Sequence, residues 1–148
     1  MSVKPIPDGY HSVTPYLVVK GVEGLIDFLG RAFGATVEFK KKQADGTVNH
    51  ASMQLGDSKI MMGEASPHFA ATSTTLYIYV ADADAVYRRA LDAGGTSLRE
   101  PADQIYGDRS GGVADPFGNQ WWMATHIEDV SPEELERRSA AAQAQPSA

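Results

Sequence analysis

From Val22 to Phe33 the apolar residues Val22, Leu25, Ile26, Leu29 and Phe33 fall on one face of a helix, and Gly34 is placed to end it. On either side the pattern shortens to the two-residue alternation of strands: a β-rich run over 13–19, then 36–42 and 48–55 with Asp45-Gly46 as a hairpin turn between them. Gly56-Asp57 makes a second tight turn before a strand over 59–62. Pro15 marks its strand as an edge or a strand end, because proline cannot donate to a sheet ladder.

The same β-α-β-β-β order then returns. Thr14-Pro15-Tyr16-Leu17-Val18-Val19 is echoed by Thr75-Leu76-Tyr77-Ile78-Tyr79-Val80, and Thr14 and Thr75 stand 61 positions apart, as do Gly34 and Gly95. A strand over 74–80 leads to a helix through about Ala93 that Asp82 or Asp84 can cap. A short strand over 98–101, a loop over 102–112, an Asp115-Pro116-Phe117-Gly118-Asn119 turn and a last strand over 120–125 complete the second copy. The organisation is an arm (1–9), a first module (10–64), a linker (65–73), a second module (74–126) and a C-terminal helix with a frayed tail (127–148). Ser131-Pro132-Glu133-Glu134 opens that helix as a capping box and carries it through about Ser139. Two copies of one unit commonly share one site, so function is to be sought at equivalent positions of the halves.

Composition narrows the chemistry more than the fold. The 148 residues are 43% hydrophobic and 22% charged, as in ordinary globular proteins. A formal charge of −6, with no basic cluster beyond Lys40-Lys41-Lys42, argues against nucleic acid as a partner. Cysteine is absent, which removes disulfides, thiolate nucleophiles and zinc-cysteine sites. No apolar stretch approaches the roughly 20 residues that cross a bilayer, and the first residues carry no secretion signal, so a cytoplasmic protein with no membrane partner is expected.

The paired β-α-β-β-β units, with Tyr106-Gly107-Asp108-Arg109 and the Asp115–Asn119 turn before the last strand, resemble the vicinal oxygen chelate superfamily. That group includes glyoxalase I, the bleomycin-resistance proteins and the extradiol dioxygenases. The His126-Ile127-Glu128-Asp129-Val130 stretch before the capped helix looks most like its PhnB-like branch. The resemblance implies an α+β fold in which two tandem modules form a curled, cup-like mixed sheet, plus a short C-terminal helix. It also implies a homodimer, in which the first module of one chain faces the second of its partner. By strand parity, Leu17, Val19, Met53, Leu55, Leu76, Ile78 and Val80 would face the helices. Thr14, Tyr16, Val18, His50, Ser52, Gln54, Thr75, Tyr77 and Tyr79 would face the cup.

Metal-using members carry His, Gln or Glu at the start of the first strand and on the last strand of each module. Here those positions fall on Thr14, Thr75 and Trp122, with Ile60 or Met62 as the first-module counterpart of Trp122. None is a good ligand, so no metal and no other cofactor is expected at the family site. His11, His50, Glu64 and His126 lie near enough to form a rearranged divalent-metal site instead, or to serve as ordinary core, rim and surface side chains.

Without a metal, the cup is lined by Tyr16, His50, Tyr77, Tyr79 and Trp122, either as a small-molecule pocket or as mere filling of the concave face. Trp121 has the opposite parity and is expected in the core. Arg109, in a glycine-flanked loop, can clamp a ligand carboxylate or phosphate, or pair with Asp108 or Asp115 to hold the loop. Asp115 reads as a turn-forming residue. No G-x-S-x-G elbow is present, and acid–base work by His50 with a tyrosine rests on parity alone. The leading expectation is a metal-free binder of a drug or metabolite, planar or cationic, in an aromatic cup. The alternatives are a lyase or dioxygenase with an unconventional metal set, and a metal-independent enzyme of unknown substrate.

Overall fold

A computed structural model describes residues 2–144. The first module comprises β1 (Tyr16–Val19), α1 (Val22–Phe33), β2 (Thr36–Lys42), β3 (Val48–Leu55) and β4 (Ser58–Glu64). The second comprises β5 (Thr75–Tyr79), α2 (Ala83–Asp92), β6 (Thr96–Asp103), β7 (Asp108–Ala114) and β8 (Gln120–His126), followed by α3 (Pro132–Ala144). Each module makes a four-stranded mixed sheet, in the orders β1-β4-β3-β2 and β5-β8-β7-β6, and the two sheets do not close into a barrel. The first and last strands of each module pair in parallel, and the others are antiparallel.

Strand alternation separates two faces. Leu17, Val19, Met53 and Met62 are buried beneath α1, and Val113, Trp121 and Met123 beneath α2, in one continuous apolar cluster. α1 and α2 pack on each other, so the helices form the middle of the molecule. Two contacts lock the modules together. The Phe33 ring of α1 lies 5.2 Å from the Trp121 ring of β8. Phe117, from the turn before β8, lies against α1 where Gly24 leaves room: a Cβ there would sit 2.5 Å from the ring.

Three expectations need correction. The segment 102–112 is not one loop: β6 runs to Asp103 and β7 begins at Asp108. Ser110, Gly111 and Gly112 read as loop residues, yet they are small because neighbours crowd the strand: a Cβ at Gly111 would meet the Pro101 backbone at 2.9 Å. The capping box is half made. Ser131 Oγ accepts from the Glu134 backbone N–H at 3.1 Å, but the Glu134 carboxylate turns to Arg137 and Arg138, which hold its pKa down at about 2. The C-terminal helix also outruns Ser139, remaining helical to Ala144, and the end of the expected frayed tail lies outside the described residues.

Candidate functional site

The faces turned away from the helices carry the polar and aromatic side chains, and each is open within a single chain: Tyr16 is 50% exposed and Tyr79 63%. On the first sheet Tyr16 and His50 come together, with Tyr16 Oη 3.2 Å from His50 Nδ1 and the rings stacked at 5.7 Å. Phe39 of β2 extends the group, its ring 6.2 Å from His50. Gly63 on β4 lies directly under Tyr16, where a Cβ would meet the phenol oxygen at 2.5 Å.

On the second sheet Tyr77, Tyr79 and Trp122 share one face, since Tyr77 pairs with Trp122 across β5 and β8. At the end of this face lies a buried carboxylate that sequence reading considered only as a partner for Arg109. Asp108 Oδ2 accepts from Tyr77 Oη at 2.7 Å and from Tyr79 Oη at 2.9 Å, while Oδ1 lies 2.8 Å from His126 Nδ1. The second imidazole nitrogen, Nε2, lies 2.7 Å from the exposed Asp129 carboxylate.

These contacts shift the titration of each group. Burial alone would push the Asp108 carboxyl up, but hydrogen bonds from His126, Tyr77 and Tyr79 outweigh it and leave the group below its ordinary value. Asp129 first and Asp108 second raise the His126 imidazole above its ordinary value. Burial and then Asp108 push the Tyr77 phenol far up, and Asp108 raises Tyr79 in the same direction. Tyr77 and Tyr79 both donate their phenol protons to Asp108, which leaves lone pairs on the two oxygens, with Tyr106 beside Tyr77.

A second feature joins the expected Trp122 to a residue that sequence reading does not single out, Arg99. The Arg99 guanidinium on β6 lies 4.9 Å from the centre of the Trp122 ring, and its Nη2 donates to the fully buried Ser110 Oγ at 2.8 Å. Arg99 pairs with Gly112 across β6 and β7, and Gly112 pairs with Trp122 across β7 and β8. A Cβ on Gly112 would lie 2.5 Å from the indole, so glycine is what lets the ring lie down on the sheet. The Trp-Gly register across the last two strands was the available signal, hidden once Gly112 was read as loop.

Arg109 does not belong to this face. One position along β7 from Asp108, it points to the helix side, where its Nε donates to Asp84 at 3.0 Å and Nη1 to Asp103 at 3.0 Å. Neither Asp108 nor Asp115 is its partner. Asp115 is instead the hub of its turn, accepting from the backbone of Phe117 and Asn119 and from Trp121 Nε1. Glu64 is also engaged elsewhere: its two carboxylate oxygens accept from the Gly21 and Val22 backbone N–H groups at 2.9 and 3.0 Å and cap α1.

A family model described as the Glyoxalase/Bleomycin resistance protein/Dioxygenase superfamily matches residues 9–123. The chain belongs to this superfamily. An uncharacterised protein of Mycobacterium bovis is 32% identical over 136 residues, covering 84% of this chain and 90% of its own length. Among solved structures, TioX from Micromonospora sp. ML1 aligns with a TM-score of 0.68 at 24% identity, over 79% of this chain and 99% of TioX. The PhnB protein from Bacillus cereus aligns with a TM-score of 0.58 at 18% identity, over 78% of this chain and 99% of its own; both structures share the fold.

Within this family the register decides which residues occupy the metal positions. Tyr16 pairs with Met61 as Tyr77 pairs with Trp122, so the first-module counterpart of Trp122 is Met61. Ile60 and Met62, the expected alternatives, are buried on the helix side. Thr14, Met61, Thr75 and Trp122 thus offer two hydroxyls, a thioether and an indole, which do not fit a divalent cation. Among the described residues no group of three His, Asp or Glu side chains is placed to hold a metal. His11 lies beside Thr14 and Met61 in a cavity of about 430 Å³ under the N-terminal arm. Among the described residues no helix is long and apolar enough to cross a membrane.

Proposed function

We propose that this chain is a metal-free small-molecule binding protein of the PhnB-like branch, holding a drug or metabolite in an aromatic cup. The observation that carries the reading is the equivalence of the two open faces. Tyr16 with Met61 and Tyr77 with Trp122 stand at matching registers, and Met61 and Trp122 are apolar or aromatic where metal-using relatives have ligands. Aromatic walls with hydroxyl tips supply contact area and orientation at low entropic cost. The likeness to the Bacillus cereus PhnB protein supports the branch.

One open face is half a cup. Exposed Tyr16, Phe39, Tyr77 and Tyr79 are more aromatic surface than an isolated monomer ordinarily leaves in water, which supports a homodimer in which the first module of one chain covers the second module of the other. Such a protein works in the cytoplasm, sequestering its ligand without chemistry. Sedimentation equilibrium tests the dimer, and a Phe39→Asp substitution is expected to give monomers. A tryptophan-fluorescence screen against planar drugs tests the cup: quenching that Trp122→Ala abolishes supports it. Stoichiometric divalent metal in the purified protein, lost in His50→Ala, would replace this reading with a lyase or dioxygenase using an unconventional ligand set.

A second reading, a metal-independent enzyme, is favoured by the Asp108–His126 pair. A buried carboxylate that fixes one imidazole nitrogen and leaves the other toward an exposed, displaceable Asp129 is an arrangement suited to proton transfer. Turnover of a ligand found in the screen, lost in His126→Gln while binding persists, would establish it.

A further inference from the structure

We propose that the cup is selective for an anion, and that Arg99 is the residue that reads the ligand's carboxylate or other oxyanion. This rests on the binding reading above and names the chemical class of its ligand. Arg99 is held in place before any ligand arrives. Its guanidinium lies over Trp122 at 4.9 Å, and one terminal nitrogen donates to Ser110. No carboxylate is paired with it among the described residues, although the chain carries 19 acidic side chains against 13 Lys and Arg. The contrast within the same strand pair is direct: Arg109 has two aspartates on the helix face, whereas Arg99 has a hydroxyl and an indole on the open one.

That arrangement leaves guanidinium donors directed to an incoming acceptor, and guanidinium geometry matches a carboxylate with two parallel hydrogen bonds. It also removes one class of ligand. A cation seeking the Trp122 ring would find Arg99 already there, so the cationic ligand suggested by aromatic composition alone is disfavoured. Next to this pair, Tyr77 and Tyr79 offer only lone pairs, because Asp108 takes both phenol protons. The ligand class that satisfies the face is therefore a planar anion carrying an N–H or O–H donor beside its acidic group.

Anilinonaphthalene sulfonate has this composition, and phenylnaphthylamine is its near-isostere without the charge. Fluorescence titrations of the full chain with both probes separate the claims. The wild type is expected to bind the sulfonate about tenfold more tightly than the neutral amine, the size of one charge-assisted contact. In Arg99→Gln the ratio of sulfonate to neutral-amine affinity should fall to about one, and Arg99→Lys should recover part of the preference. Equal binding of the two probes by the wild type, or an unchanged preference in Arg99→Gln, overturns the anion selectivity and leaves the cup standing. Binding of neither probe overturns both.

Discussion

Glu64 and Thr125 stand 61 positions apart and perform the same task. Each closes the last strand of its module by accepting a hydrogen bond from the first N–H of that module's helix: Val22 donates to Glu64 at 3.0 Å, and Ala83 donates to Thr125 at 2.9 Å. Helix α1 needs this remote cap because Gly21, at its N-terminus, has no side chain to supply one. The carboxylate also suits the positive end of the helix dipole. Glu64→Ala should therefore cost about 1–2 kcal/mol, the upper range for a lost cap. Urea unfolding should show a lower midpoint with an unchanged slope, and Glu64→Gln should recover part of the loss.

Helix propensity and packing make opposite predictions at Gly24. Alanine in a helix interior is worth about 1 kcal/mol over glycine. Here its methyl would enter the Phe117 ring at 2.5 Å, and overpacking costs about 1–3 kcal/mol. Packing wins, so Gly24→Ala should lower the melting temperature. The same substitution combined with Phe117→Leu should lose less than the two single changes added together. Strict additivity would mean that the two residues do not oppose each other.

Asp115 is a costly carboxylate to remove. It is buried and accepts from two backbone N–H groups, the Asn119 amide and the Trp121 indole, and Asn119 in turn holds the Thr74 N–H that leads into β5. Asp115→Ala leaves several buried donors without partners, each worth about 1–3 kcal/mol. Loss of the folded state at room temperature, read by near-ultraviolet circular dichroism of Trp121, is expected. A variant with native spectra and a melting point within a few degrees would show that the turn holds without its hub.

The His126 region should make stability depend on pH in a defined window. A histidine whose folded pKa is raised contributes stability that is fully present below its unfolded value, near 6.5, and is lost as pH rises through the folded value. Asp108, whose folded pKa is lowered from 3.8, contributes stability above that value and loses it as pH falls through the folded one. The two overlap between about pH 4 and pH 6.5. The melting-temperature difference between wild type and His126→Gln should be largest there and shrink as pH rises through the raised folded value. A difference that grows with pH would reverse the sign of the coupling.

The helix and strands of the first module were legible from their apolar periodicity and the turn signals between them: α1, β2 and β3 occupy the expected residues, although β2 is exposed along its whole length. Parity likewise placed Tyr16, Tyr77 and Tyr79 on the open faces and Trp121 in the core. What sequence could not reveal depends on neighbours across strands. Gly111 and Gly112 are strand residues whose size is set by Pro101 and Trp122, and nothing local distinguishes them from a flexible turn. A loop reading of them puts Arg109 in the cup and passes over Arg99. Asp108 was obscured for the same reason, since its partners come from β5 and β8, far away in sequence.

The parallel pairing of β1 with β4, and of β5 with β8, has a genealogical consequence. In each module the first and last strands are neighbours, so each sheet is completed by its own unit alone, with Val19 at the end of the first strand opposite Glu64 at the end of the last. A gene segment encoding such a unit can be doubled head to tail with only a brief connector, because neither copy has to open to admit the other. The short stretch between Glu64 and Thr75 is that connector. The two copies differ on their open faces, one carrying Tyr16 with His50 and the other Arg99 with Trp122, while Glu64 and Thr125 cap the two helices from equivalent positions.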